Sequence, residues 1–123
     1  MGRVRAVLDT NILIDYLNGI EAARDEIARY DAPMISVITW MEVMIGSAPE
    51  ENELVRGFLN RFELKGLDQT VAERAVEVRR ERRIRLPDAI TQATALTENA
   101  LLVTRNIKDF PPDDPGVRMP YQI

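Results

Sequence analysis

The chain has 123 residues, 46% of them hydrophobic and 29% charged, and its net charge is −4 at pH 7. This length predicts one domain over residues 1–123, and no apolar run approaches the roughly 20 residues that a membrane helix needs. The sequence has no cysteine and no histidine, which excludes disulfides, thiolate or imidazole metal sites and histidine-based nucleophile systems. Any catalysis must therefore use oxygen ligands. The first apolar run is interrupted too early for a secretory signal, so a cytoplasmic location without a membrane partner is expected.

Apolar segments and helical patterns alternate along the chain, separated by turn and capping residues. In the first half they predict a strand over 3–8, helices over 12–19 and 21–30, a strand over 32–37, and helices over 39–47 and 51–63. In the second half they predict a short strand within 64–68, a helix from 70 into an arginine-rich segment, a helix over 86–99, a strand over 100–104, and at most one short strand in the proline-rich tail. Two helix starts fit the capping-box pattern, Thr39 with Glu42 and Thr70 with Glu73.

Short apolar strands separated by helices predict an α/β fold whose short, mostly parallel central sheet is covered on both faces. Ligands of such sheets bind beyond the carboxyl ends of the strands. Polar residues converge on that edge, because Asp9 follows the first strand and Thr104 to Asn106 follow the strand over 100–104. Glu42 lies one helical turn beyond the second strand, and Asp88 opens a helix that leads back into the sheet.

Each acidic residue also has a purely structural explanation. Asp9 or Asn11 could cap the first helix, Glu42 could complete a capping box, and Asp88 could favour a helix N-terminus. These structural explanations are less convincing when taken together, because they do not account for several carboxylates at one edge of the sheet. Two carboxylates about 4 Å apart repel by about 4 kcal/mol at an effective dielectric constant of about 20. A hard divalent cation, Mg²⁺ or Mn²⁺, would offset that repulsion and would suit phosphodiester hydrolysis.

Four segments of the chain carry a family resemblance: "VLDTNILIDYL", "ISVITWMEVMIG", "RIRLPDAITQATAL" and "LLVTRNIKDF". Their order and spacing resemble those of PIN-domain proteins, in particular VapC-type toxins. The resemblance implies a three-layer α/β/α fold and a metal-dependent endoribonuclease that acts on RNA. It also implies a VapB-like antitoxin partner and, in most relatives, a homodimer.

The resemblance assigns roles to individual residues. Asp9, Glu42 and Asp88 match the three acidic positions of the family, and would hold Mg²⁺ or Mn²⁺. Thr104 resembles a polar residue that orients water or a carboxylate. The fourth acidic position is open between Asn106, as a neutral ligand or one acting through water, and Asp109.

Positive charge is concentrated before Asp88, where five of the sixteen basic residues lie within 79–85. Arginine suits phosphate contacts, so an RNA-binding role is one reading of this cluster, and a solvated helix end is the other. The candidate RNA-contacting residues are Arg79, Arg80, Arg82, Arg83, Arg85 and Arg105.

Two other functions compete with a nuclease. A receiver-type signalling domain also holds Mg²⁺ in an acidic pocket, but it needs adjacent acids after the first strand, where Asp9 is followed by Thr10. It also needs a lysine after a late strand, where this chain has Arg105. A PIN-like binding module without catalysis is the second alternative, and the retention of Asp9, Glu42 and Asp88 argues against it.

Overall fold

The computed structural model describes residues 4–123, so Arg3 of the predicted first strand lies outside the described residues. The strands are β1 (Ala6–Leu8), β2 (Met34–Ser36), β3 (Glu63–Lys65), β4 (Leu101–Val103) and β5 (Val117–Arg118). The helices are α1 (Thr10–Leu17), α2 (Glu21–Ala28), α3 (Val37–Gly46), α4 (Asn52–Leu59), α5 (Gln69–Arg82) and α6 (Leu86–Thr97), with a 3₁₀ turn at Pro49–Glu51. Within this part of the chain, no helix combines the length and the apolar character needed to cross a membrane.

The five strands form one parallel sheet in the order β3-β2-β1-β4-β5. β1 is central, because Val7 pairs with Met34 of β2 on one side and with Leu102 of β4 on the other. The chain adds strands on one side of β1 and then, from β4 onward, on the other side. Ligands of open parallel sheets bind in the crevice where the order reverses, which here lies between the carboxyl ends of β1 and β4. The predicted parallel sheet is confirmed.

Helices cover both faces of the sheet, because alternate strand residues point to opposite sides. On one face, Leu8, Ile35 and Val103 pack with residues of α1 to α4, including Ile12 and Phe58. On the other face, Val7, Met34 and Leu102 pack against α5, α6 and Phe110. The predicted α/β/α layering is therefore confirmed, and it fixes the strand ends that carry the polar residues.

Both capping-box predictions were wrong. α3 is capped by Ser36, whose Oγ accepts a hydrogen bond from the Thr39 backbone N–H at 3.2 Å, and α5 is capped by Asp68 in the same way. Each helix starts earlier than predicted, because an extended residue further upstream supplies the cap. Glu42 consequently lies beyond the first turn of α3 and is not needed to cap it.

Candidate active site

An open cleft of about 470 Å³ lies at the carboxyl ends of β1 and β4. Its lining includes six of the twelve candidate residues that the sequence singled out: Asp9, Glu42, Asp88, Asn106, Arg85 and Arg105. These residues come from four separate segments of the chain, and the sheet order brings them together. The cleft contains both signs of charge, because carboxylates and guanidinium groups both line it.

Asp9 is a buried carboxylate of the cleft, with only 6% of its surface exposed. It caps α1 through Oδ1, which accepts from the Thr10 backbone N–H at 2.8 Å. Its Oδ2 accepts from the Thr104 hydroxyl at 2.8 Å and from the Asn11 amide at 3.2 Å. Burial raises the pKa of Asp9 to about 6, and the charges of Asp88 and Glu42 add to that rise, although the hydrogen bonds oppose it. Asp9 is thus a helix cap and also a carboxylate that resists ionisation.

Thr104 links the two strands that border the cleft. It is fully buried directly after β4, and while its hydroxyl donates to Asp9, its oxygen accepts from the Asn11 amide at 3.1 Å and the Asn106 backbone N–H at 3.0 Å. Asn11 in turn accepts from the Arg105 backbone N–H at 3.0 Å. These contacts hold the Asp9 carboxylate and the loop after β4 in a fixed relation.

Glu42 reaches the cleft from α3 and meets the start of α1. Its Oε1 accepts a hydrogen bond from the Thr10 hydroxyl at 2.6 Å, and the same hydroxyl lies 3.1 Å from the Thr39 hydroxyl. Glu42 is exposed, whereas Thr39 is fully buried. Thr10 therefore ties the Glu42 carboxylate to the loop that carries Asp9.

Asp88 supplies an oxygen that lacks a donor. It lies in the first turn of α6, and its Oδ2 is buried yet has no hydrogen-bond partner among the described residues. The nearest cation is Arg85, whose Nε lies 3.5 Å from that oxygen, beyond good hydrogen-bond length. Burial raises the pKa of Asp88, Arg85 lowers it, and the charges of Asp109 and Glu42 raise it further.

Asn106 and Asp109, the two candidates for the fourth acidic position, contact each other. Asn106 lines the cleft, and its amide donates to Asp109 Oδ2 at 3.0 Å while its carbonyl oxygen accepts from the Asp109 backbone N–H at 3.3 Å. Asp109 is not part of the cleft lining, and its charge raises the pKa of Asp88. Asn106 is accordingly the nearer of the two to the cleft.

The donor set fits a hard divalent cation. Asp9, Glu42 and Asp88 offer carboxylate oxygens, and a buried oxygen without a donor is what a metal ligand looks like before it binds. In the described part of the chain, no three acidic side chains already stand close enough to enclose an ion.

Comparison with known proteins places the chain in a family. Residues 6–111 match the family model described as PIN domain. The chain belongs to the PIN-domain family. It is 34% identical over 113 residues to "Ribonuclease VapC10" of Mycobacterium tuberculosis, covering 85% of each chain. The family resemblance of the four sequence segments is thereby confirmed.

Solved structures agree with this PIN fold. A "Toxin-antitoxin complex from Klebsiella pneumoniae" matches with a TM-score of 0.91 and 42% identity, covering 96% of this chain and 99% of that one. The "Crystal structure of DNA bound VapBC from Salmonella typhimurium" matches with a TM-score of 0.78 and 28% identity, covering 94% and 96%. The receiver-type alternative is wrong, because receiver domains have the order β2-β1-β3-β4-β5 rather than the one seen here.

The six candidate RNA-contacting arginines of this PIN domain occupy three different environments. Arg85 and Arg105 line the cleft. Arg82 is half-buried and donates to the Gln92 side chain at 2.7 Å and to the Asp109 carbonyl at 2.6 Å, with its guanidinium over the Phe110 ring. The others form the exposed end of α5, namely Arg79 and Arg80 in its last turn and Arg83 in the left-handed cap with φ of 53°. The structure brings only part of the cluster to the acidic residues.

Sequence reasoning missed two contacts of the cleft, the Thr10 hydroxyl on Glu42 and the Asp15 carboxylate on Arg105. Asp15 is 5% exposed and sits on the buried side of α1. The signal available in the sequence was an acid inside an apolar helix, "ILIDYL", where burial demands a charged partner.

Proposed function

We propose that this chain is the toxin of a VapBC-type toxin-antitoxin pair, and that it is a metal-dependent endoribonuclease. The observation that carries the proposal is the meeting of Asp9, Glu42 and Asp88 in the cleft at the reversal of strand order, in a PIN domain. The relative named as a ribonuclease and the neighbours solved as toxin-antitoxin complexes support the same function.

PIN-domain ribonucleases generally depend on divalent metal ions, and the residues present fit such an ion. Asp9, Glu42 and Asp88 would hold Mg²⁺ or Mn²⁺, with Asn106 as a neutral oxygen ligand beside them. When bound, the ion supplies an activated water nucleophile and offsets the negative charge that builds on the phosphate. It would also favour ionised Asp9, reversing the effect of burial on its pKa.

The chain's own residues prepare this site. The Thr104 hydroxyl and the Thr10 backbone N–H orient the two oxygens of Asp9, so the carboxylate presents a fixed geometry to the cleft. Thr10 does the same for Glu42 through its side chain. Arg85 is 78% exposed beside Asp88, where it can meet a substrate phosphate.

The chemistry is tested by the ends of the RNA products. Attack by water needs no 2′-oxygen, so cleavage in Mg²⁺ or Mn²⁺ should leave 5′-phosphate and 3′-hydroxyl ends. End-labelled single-stranded RNA, analysed with phosphatase and ligase treatment, distinguishes these ends from a 2′,3′-cyclic phosphate. A cyclic phosphate product would contradict the mechanism.

Matched variants separate this activity from contamination. Asp9→Asn and Asp88→Asn should each abolish cleavage, because each removes a charged ligand while keeping the side chain's size. Asp68→Asn, the same change in the exposed cap of α5, should cleave like the unmodified protein. If both site variants retained full activity, the site assignment would be wrong. If the unmodified protein bound RNA without cutting it, the chain would be a binding module.

A partly apolar groove adjoins the cleft. A groove of about 320 Å³ runs between α1, α3 and α4, and Ile14 lines both the groove and the acidic cleft. Leu17 and Leu54 also line it, with exposures of 41% and 79%. We propose that the groove receives an apolar segment of the antitoxin, which also presents a cation to the neighbouring carboxylates.

The groove is tested with the product of the short reading frame expected beside this gene. Leu54→Glu should abolish co-purification of the two proteins without lowering the stability of the toxin, because Leu54 is exposed. Val76→Glu, at an exposed apolar residue of α5 outside the groove, is the control. Equal binding of both variants would exclude the groove.

A further inference from the structure

The C-terminal tail contacts the cleft through a buried carboxylate. Asp15 of α1 receives two hydrogen bonds from the Arg105 guanidinium, with Nη2 at 2.9 Å from Oδ1 and Nε on Oδ2. The Tyr121 hydroxyl donates to the same Oδ2 at 2.8 Å. Burial and the hydrogen bond to Asp15 raise the pKa of Tyr121, so the hydroxyl remains a donor at neutral pH. Tyr121 lies beyond the residues that match the PIN family model, which end at 111.

Arg105, which Asp15 fixes in place, belongs to the proposed active site. Arg105 lies between Thr104 and Asn106, and its backbone N–H donates to Asn11, which also contacts Asp9. Its side chain lines the cleft and is 30% exposed, so an arginine that Asp15 fixes keeps accessible surface there.

Stability alone does not explain this arrangement. A buried ion pair is often no more stabilising than apolar side chains of similar volume, because both charges lose their hydration. What a two-point contact does provide is a fixed direction for a planar guanidinium. Fixed donors matter where an anion must be received in one geometry.

The negative charges of the cleft make a cation necessary for binding an RNA phosphate. Asp9, Glu42 and Asp88 repel a phosphate, so the approach of RNA requires a cation beside them. Among the described residues that line the cleft, the cations are Arg85 and Arg105, and Arg85 is 78% exposed with a single acidic neighbour at 3.5 Å. Arg105 is the better oriented of the two.

We propose that Asp15 and Tyr121 are positioning residues for Arg105, which receives a phosphate of the RNA in the acidic cleft. The C-terminal tail is then part of the active site. This inference rests on the proposed endoribonuclease function and names a substrate contact for it.

The chain contains a matched control for this arrangement. Glu26, also buried, receives two hydrogen bonds from Arg118 and one from the Tyr30 hydroxyl at 2.7 Å. This second group has the same chemistry, but its arginine and tyrosine line a different cleft, which contains none of the site carboxylates. Loss of a tyrosine hydroxyl can therefore be compared at two equivalent contacts, only one of which adjoins the proposed site.

The experiment is a double-mutant cycle on RNA affinity, measured by fluorescence anisotropy in the non-cleaving Asp88→Asn background. Tyr121→Phe should weaken RNA binding about 3- to 10-fold, because the lost hydrogen bond lies within the protein and only part of its energy is expressed in RNA affinity. In a protein that also carries Arg105→Ala, Tyr121→Phe should have no further effect, because the group that it positions is gone. Tyr30→Phe should leave RNA affinity unchanged. Asp15→Asn provides a second disruption of the same contact if Tyr121→Phe lowers the folded fraction.

The salt dependence identifies Arg105 as the phosphate contact. Arg105→Ala should lower the slope of log K against log salt by about 0.7, the value for one phosphate contact on a single strand. The inference would be overturned if Tyr121→Phe lowered RNA affinity equally with and without Arg105, or did not lower it at all. An equal loss of RNA affinity from Tyr30→Phe would also overturn it. If the unmodified protein cut RNA while the cycle showed no coupling, only this inference would fail. If it neither bound nor cut RNA, the proposed function would fail with it.

Discussion

Replacing Asp9 by Asn should destabilise the metal-free protein at acidic pH and stabilise it at neutral pH. In the metal-free protein the pKa of Asp9 is about 6, against 3.8 for an ordinary aspartate, chiefly because the group is buried. Between these values the folded state binds more protons than the unfolded state, so the free energy of unfolding falls as the pH rises from about 4 to about 6. Above pH 6 Asp9 is ionised in the folded state, and burial of its charge destabilises the fold by the full amount. An uncharged amide at the same position has no such cost.

The size of the effect follows from the same pKa. At about 1.4 kcal/mol per pH unit, ionised Asp9 costs the metal-free fold about 3 kcal/mol. The Asp9 carboxyl group has two oxygens, one for the Thr10 N–H and one for the Thr104 hydroxyl, whereas an amide has only one. Asp9→Asn therefore loses about 1–2 kcal/mol of hydrogen bonding at any pH. The variant should therefore be about 1–2 kcal/mol less stable than the unmodified protein at pH 4, and about 1–2 kcal/mol more stable at pH 7.5.

Urea unfolding in EDTA at pH 4 and pH 7.5, followed by circular dichroism, measures this reversal. Asp68→Asn is the control, because Asn caps a helix about as well as Asp, and it should stay within about 0.5 kcal/mol at both pH values. Adding 1 mM Mn²⁺ at pH 7.5 should stabilise the unmodified protein and leave Asp9→Asn almost unaffected. An equal destabilisation by Asp9→Asn at both pH values would refute the argument that burial opposes its ionisation.

Of four further predictions, two concern the arginines, one the partner and one the assembly. Arg82→Ala should cost about 1–3 kcal/mol in urea unfolding, because its buried partners lose their donor, whereas Arg79→Ala should change stability by less than about 0.5 kcal/mol. If Arg79 and Arg80 contact phosphates, neutralising both should lower the RNA salt slope by about 1.4, and an unchanged slope would identify them as a solvated helix end. Inhibition of cleavage by the antitoxin should weaken as Mn²⁺ is raised, since both compete for Asp9, Glu42 and Asp88, and a potency indifferent to Mn²⁺ would exclude that geometry. The homodimer suggested by the family resemblance should appear in sedimentation velocity as a species of twice the 14.0 kDa chain mass.

The helices and strands were largely predictable from the sequence, because they follow from local patterns. The continuous apolar run Ala6, Val7 and Leu8, which is buried throughout, and turn residues such as Gly19 with its φ of 81°, act within a few residues. Helix starts were less predictable, since Ser36 and Thr39 are both good caps and only the backbone conformation at Ser36 decided between them. The candidate acids could be chosen because parallel strands place their carboxyl ends at one edge.

The sequence by itself determined which carboxylates and arginines were available and that, with neither histidine nor cysteine, only oxygen ligands could form a metal site. The tertiary structure decided their surroundings. The order β3-β2-β1-β4-β5 places Thr104 against Asp9, although 95 residues separate them, and packing leaves one oxygen of Asp88 buried without a donor. It also divides the arginine cluster, with Arg82 in a structural contact and Arg85 in the cleft, and brings Tyr121 to Asp15. These outcomes depend on strand pairing and side-chain packing between distant segments, and the spacing of residues along one chain does not encode them.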